Sequence, residues 1–194
     1  MLSEFKITRL HSDFIFKSFD CGDNDLNDFL LNDAINHFNQ LLCTTFLIEK
    51  DEDVIGFFSL LNDTISIEDI SFKNKFLRIL PNNKRSYKYF PAVKLGRLGI
   101  SLTYQNNGLG TEIMNFIKIL FTTNNRTGCR YITVDAYQKS VKFYKKNGFD
   151  FLTDKDEKGE TRLMYFDLIK IVNSINFMAS QEKEHIHTKI NNIR

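Results

Sequence analysis

A polar loop with paired glycines, Gln105, Asn106, Asn107, Gly108, Leu109 and Gly110, follows an apolar β-rich run and opens an amphipathic helical run. Its pattern is Q/R-x-x-G-x-G/A. A chain that leaves a strand, turns through glycines and starts a helix aims unpaired backbone N–H groups, and the positive end of the helix dipole, at one point. That point suits a diphosphate. Glycine is required at Gly108 and Gly110 because a side chain there would block close approach of the backbone or the necessary φ. Other reactive residue types form no comparable constellation. Cys21, Cys43 and Cys129 are widely spaced, lack CxxC or metal-ligand spacing, and read as reduced and mostly buried. His11 and His37 are isolated, and His185 and His187, two apart, would not share a helical face, so no metal is expected. Asp135 at a strand end and the acids from Asp20 to Asp28 could attract an ammonium group or relay its proton through water. Capping and solvation explain them equally well, and no general base is identified.

The elements that must position the loop are legible from periodicity. Phe5 to Leu10 alternates as a first strand, and Asn24 to Phe38 carries Leu26, Phe29, Leu30, Ala34, Ile35 and Phe38 at helical spacing behind a cap at Asp23 or Asn24. Thr44 to Glu49 and Val54 to Leu61 read as a hairpin across the charged turn Lys50 to Asp53. Ser71 to Leu80 reads as a short helix or irregular element. A loop containing Pro81, Asn82 and Asn83 follows, closed by Pro91. Val93 to Leu102 is the strand entering the glycine loop, with Gly99 as a candidate bulge. The next helix buries Leu109, Ile113, Phe116, Ile117, Leu120 and Phe121 and ends at Asn124 to Gly128. Arg130 to Val134 is a strand, Gln138 to Asn147 a helix, and Phe149 to Leu152 and Arg162 to Ile169 closing strands. The tail, 171–194, is polar and reads as a marginal helix or disordered.

With 194 residues, 19 Phe and no Trp, the chain has the size of one domain with a single core. No apolar run is long enough for a membrane span, and Met1 to Leu10 has no signal-peptide pattern, so a cytoplasmic location is expected. The formal net charge is only +2, but it is unevenly spread. Asp20 to Asp33 holds five aspartates and no base; Ile70 to Thr111 holds Lys73, Lys75, Arg78, Lys84, Arg85, Lys88, Lys94 and Arg97 and no acid. A second basic run continues through Lys118, Arg126, Arg130, Lys139, Lys142, Lys145 and Lys146, broken by Asp135. Singly these are solvated faces; together they would draw in an anion.

The loop Gln105 to Gly110 and the downstream phrase Tyr131 to Phe149, which ends KFYKKNGF, resemble the GNAT N-acetyltransferase superfamily. FDCGDNDLNDFL (Phe19 to Leu30), VIGFFSL (Val54 to Leu60) and YFPAVKLGRLGI (Tyr89 to Ile100) are similar to its branch of tRNA-acetylating toxins. The resemblance covers residues 1–170 and implies a single α/β (α+β) GNAT domain. Its fold would be a mixed, mostly antiparallel sheet of about six to seven strands, splayed at the acetyl-CoA site and flanked by about four helices. It implies acetyl-CoA as cosubstrate. Backbone groups of Gln105 to Gly110 would cradle the pyrophosphate, and Leu98, Gly99 and Ile100 would pair with the pantetheine arm and donate to the thioester carbonyl. Tyr144 matches the tyrosine that protonates the CoA sulfur, and Gln138 stands where relatives carry a pantetheine-binding Asn.

The leading expectation is an acetyl-CoA-dependent N-acetyltransferase acting on a primary amine in a direct ternary complex, because no cysteine sits in an activated setting. One version takes aminoacyl-tRNA, with an antitoxin-like protein partner; another takes a small-molecule or protein amine drawn by the acidic first helix. A homodimer is compatible with either. A different class is an acetyl-CoA-binding sensor or interaction module without turnover.

Overall fold

The computed structural model describes residues 4–71, 73–77, 87–123 and 127–191, with backbone alone at 75, 77 and 182–191. The strands are β1 (Lys6–Arg9), β2 (Thr44–Lys50), β3 (Asp53–Ser66), β4 (Tyr89–Ile100), β5 (Tyr131–Tyr137), β6 (Asp150–Phe151) and β7 (Thr161–Asp167). They form one sheet in the order β1-β2-β3-β4-β5-β7-β6. Neighbours pair antiparallel except β4 and β5, which are parallel. A parallel pair needs a crossover, and α4 (Leu109–Thr123) supplies it.

Strand alternation sends side chains to two cores, one on each face. On one face Phe58, Leu60, Val93, Leu95, Ile132, Val134, Met164 and Phe166 meet Leu109, Ile113, Met114 and Ile117 of α4 and Tyr144 of α5 (Val141–Lys146). Ile171, in the first turn of α6 (Ile169–Asn191), packs against the same core. The polar tail is thus helical to Asn191, and its start is anchored. The opposite face has two clusters. Phe57 and Leu47 pack on Phe29, Leu30 and Ala34, whereas Ile65, Phe90, Tyr131 and Tyr165 surround Phe76 of α3 (Lys73–Leu77).

The first helical body begins at Asn24, where the Asp23 side chain accepts from the Leu26 N–H. It runs as α1 (Asn24–Asp28), a π turn (Phe29–Asp33) and α2 (Ala34–Asn39), so the simple 3.6-residue period expected over Asn24 to Phe38 is widened once. β3 is longer than its predicted hairpin arm, running to Ser66. Of the expected segment Ser71 to Leu80, α3 occupies Lys73–Leu77; residues 78–86, with Pro81, Asn82 and Asn83, lie outside the described residues.

Two expectations about β4 are corrected. Pro91 does not precede the strand but lies inside it, opposite Thr64. Its carbonyl accepts from the Arg130 N–H, so its nitrogen also faces β5, and the donor that proline lacks is one the β3 ladder does not use. The bulge is at Gly96, not Gly99: Ser59 pairs with Arg97 and Leu60 with Leu95, leaving Gly96 as the extra residue. Gly99 instead allows close packing. A Cβ there would stand 2.5 Å from the ring of Phe57, which is fully buried.

Candidate active site

β4 and β5 pair at only three positions, Ala92 with Tyr131, Val93 with Ile132 and Lys94 with Thr133. Beyond them Leu95 to Ile100 pairs only with β3, and Val134 to Tyr137 only with β7. The bulge at Gly96 falls where the two strands part, and a bulge bends its strand and increases local twist. The result is a V-shaped slot whose facing edges carry backbone donors and acceptors not used by the sheet. An extended chain of amides fits such edges as an added strand would.

At the wide end of the slot the chain passes through a 3₁₀ turn (Leu102–Tyr104) into the glycine loop and α4. Asn106 and Gly108 take left-handed conformations, with φ of 61° and 83°. The Thr111 and Glu112 N–H groups donate to the Gly108 carbonyl. Those of Gly108, Leu109 and Gly110 have no backbone acceptor among the described residues. Space around Gly108 is open, since a Cβ there would meet nothing within 4 Å. At Gly110 a Cβ would meet the Phe143 ring at 3.0 Å and Ile100 at 3.3 Å, so this glycine lets α4 approach both α5 and the end of β4. Free N–H groups, open space and an unpaired strand edge together suit the diphosphate and pantetheine of acetyl-CoA. Gln105 has a different use. Its Nε2 donates to the carbonyls of Cys21 and Ile100, each at 2.8 Å, which fastens the loop to both strand end and α1 approach. Asn106 and Asn107 are exposed.

Tyr144 lies on α5 between Phe143 and Phe149, with ring centroids 5.1 and 5.5 Å away. The residue is only 7% exposed. Its hydroxyl makes no hydrogen bond among the described residues, yet no fully buried side-chain polar atom there lacks a partner; the oxygen therefore touches solvent. Burial pushes its pKa well above the ordinary phenol value, so the group holds its proton through the neutral range. The turn after α5 is fixed by Asn147, whose side chain donates to the Phe143 carbonyl, and by buried Lys118, which donates to the Asn147 carbonyl at 2.8 Å. Gln138 is exposed, and its Nε2 donates to the carbonyls of Gly159 and Glu157, committing its donors to the β6–β7 turn.

The face bearing α1 pairs charged residues that the sequence offered only separately. Lys94 Nζ lies 2.7 Å from Asp135 Oδ2, directly bridging β4 and β5 just past their last rung. Beside it Thr133 donates to Asp63. At the wide end Lys139 pairs with Asp23 at 2.9 Å, and the loop before Asp23 hangs from the other arm, with Leu102 N–H donating to the Asp20 carbonyl. The hydrogen bond from Lys139 holds the Asp23 carboxyl below its usual range, and Asp23 raises Lys139 in turn. Both contacts join residues more than 40 positions apart, so local spacing carries no signal for them. Cys21 in this loop is buried, which raises its pKa and leaves it a poor nucleophile. Cys43 and Cys129 are half-buried rather than buried, and none of the three cysteines is in a disulfide. No group of metal-binding side chains occurs among the described residues, and no described helix is long and apolar enough to cross a membrane.

Comparison with known proteins agrees with this architecture. The family model described as an acetyltransferase (GNAT) domain matches residues 42–150. No curated protein sequence matches the chain. Among solved structures, AtaT complexed with acetyl-methionyl-tRNAfMet superposes with a TM-score of 0.70 at 25% identity, covering 88% of this chain and 99% of that one. AtaTR bound with AcCoA gives 0.67 at 24%, covering 89% and 99%. A tyrosine-to-phenylalanine mutant of the AtaT toxin, bound to the C-terminus of the antitoxin AtaR, gives 0.62 at 22%, covering 86% and 94%. The last two likenesses are of fold alone. A family match over more than half of the chain, on a splayed sheet with a glycine loop at its mouth, makes this protein a member of the GNAT family, an acetyl-CoA-dependent N-acetyltransferase.

Proposed function

We propose that the chain moves the acetyl group of acetyl-CoA to the α-amino group of an aminoacyl-tRNA, with both substrates bound together. The observation that carries the acceptor is the likeness, over nearly the whole of both chains, to AtaT complexed with acetyl-methionyl-tRNAfMet. The exposed lysines Lys142, Lys145 and Lys146 on α5 add a positive surface that favours a polyanion. An antitoxin-like protein partner and self-association belong to the same reading.

Acetyl-CoA supplies an activated acyl group as a thioester. The N–H groups of Gly108, Leu109 and Gly110 hold its diphosphate, with Gln105, Asn106 and Asn107 shaping the loop. The free edge of β4 at Leu98, Gly99 and Ile100 aligns the pantetheine arm, and one of its N–H groups donates to the carbonyl oxygen as charge develops there. Gln138 offers its side-chain oxygen to a pantetheine amide. The acceptor nitrogen forms the new C–N bond while the C–S bond breaks; the amine's proton leaves through water, and the Tyr144 hydroxyl gives its proton to the departing sulfur. The desolvation that raises the phenol also raises the basicity of a thiolate formed beside it, which keeps this transfer workable. Unactivated thiols agree with direct transfer rather than an acyl-cysteine intermediate.

The test is thiol release from acetyl-CoA with charged tRNA, polyamines, amino acids and peptides, run beside Tyr144→Phe. Release with charged tRNA that falls about a hundred-fold or more in the variant, with acetyl-CoA affinity unchanged, supports the assignment. Release with a small amine alone overturns the tRNA acceptor. Binding without release for any acceptor favours the sensor reading.

A further inference from the structure

Many of the cations around the slot are spoken for, the exposed Lys142 and Lys146 of α5 aside. Lys94 is paired with Asp135, Lys139 with Asp23, Arg130 with Asp167, Arg162 with Asp156 and Lys145 with Asp150, while Lys118 is buried on the Asn147 carbonyl. Arg97 is the exception at the slot itself. It has no carboxylate or hydrogen-bond partner among the described residues, and its guanidinium carbon stands 3.7 Å over the ring of Phe29 in the π turn.

Its place in β4 is also distinctive. Arg97 follows the bulge at Gly96, precedes Leu98, and shares a face with Gly99, the face of Phe57 and α1 rather than that of Tyr144. It therefore stands on the unpaired half of the strand. The two ion pairs that join the arms bracket it, Lys94–Asp135 toward the vertex and Lys139–Asp23 toward the open end. Stacking on Phe29 fixes the plane of the guanidinium and leaves its in-plane N–H donors available for a planar or tetrahedral anion. A half-buried arginine held flat, with no counter-ion among the described residues, is poised to receive one.

We infer that Arg97 is an acceptor-binding residue, which grips a backbone phosphate at the charged 3′ end of the tRNA and so sets the amine against the thioester. The inference rests on the aminoacyl-tRNA reading. It assigns the Arg97 side chain no part in holding acetyl-CoA, which in that reading uses the α4 loop and the backbone edge of β4.

Arg97→Ala and Arg97→Lys separate this role from a packing role. Three acceptors are compared: charged tRNA, a short aminoacylated 3′ oligonucleotide, and an amino-acid methyl ester, which carries no phosphate. The expected result is a KM increase of about ten-fold or more for both nucleic acids in Arg97→Ala, smaller in Arg97→Lys, with the methyl-ester rate and the acetyl-CoA Kd unchanged. Unchanged KM for both nucleic acids overturns the inference, as does an equal loss for the methyl ester. If wild type acetylates the ester but neither nucleic acid, the acceptor reading itself fails, and Arg97 falls with it. An effect on full tRNA alone moves the contact away from the 3′ end and overturns its placement.

Discussion

Gly110 shows how much one absent methyl group does. A Cβ at this position would sit 3.0 and 3.2 Å from two atoms of Phe143 and 3.3 Å from Ile100, on two elements that converge with α4 on the slot. Gly110→Ala is expected to lower unfolding free energy by about 1–3 kcal/mol in urea titrations and to weaken acetyl-CoA binding, because Phe143 must move and Tyr144 follows it. Substitution at Gly108 meets no neighbour, and its cost comes through φ instead. The two glycines were legible as a pair in the sequence; their different reasons were not, because one depends on a partner 33 positions away. Gln105 makes the same point. Its type and place fit the motif, but the side chain braces the loop from behind. Tyr144 carries a further consequence for pH. A phenol whose folded pKa is raised stabilises the fold fully below the unfolded value near 10 and loses that contribution as pH climbs past it.

The elements around the slot were read well where they repeat and less well where they deviate. Alternation located β2 and β5, and helical spacing located α4, since apolar periodicity depends only on which face is buried. The π turn, the Gly96 bulge and Pro91 inside β4 all depart from a period, and each is decided by a neighbouring strand or helix that local sequence does not name. Lys118 is the clearest case. A lysine on α4 reads as solvated, yet it is buried over the Phe166 ring and ties α4 to the turn ending α5. Burial, and then the nearby Lys170, lower its pKa, so the unfolded chain binds its proton more tightly than the folded one. The resulting penalty is complete below the folded pKa and fades as pH rises toward the unfolded value of 10.5. The stability of wild type minus that of Lys118→Met should therefore increase from neutral pH toward pH 10; a flat difference across paired melting curves would mean that this amine is not desolvated.

At the scale of the molecule, the fold and the identity of the cosubstrate followed from two motifs in order, while the charged contacts across the slot did not. Asp23, Lys94, Arg97, Asp135 and Lys139 come from four separate segments, and only the folded sheet gathers them. The charge runs overstated the free charge, since four of those cations, Lys94, Arg130, Lys139 and Lys145, meet an internal acid.

The three-rung seam between β4 and β5 also bears on cooperativity. Strands β1 to β4 form one hydrogen-bonded leaf and β5, β7 and β6 another, and below the seam the leaves are coupled mainly through α4 and side chains. Acetyl-CoA would stitch them together in the direction that the polypeptide leaves unsewn. Its binding should raise Tm in proportion to the logarithm of its concentration. Hydrogen exchange should slow most at the slot-facing amides of Leu95 to Ile100, although no residue there changes its partner in β3. The unliganded protein is in this sense two half-sheets joined along a short seam, and a cosubstrate bound in the slot would be the rung that makes them one.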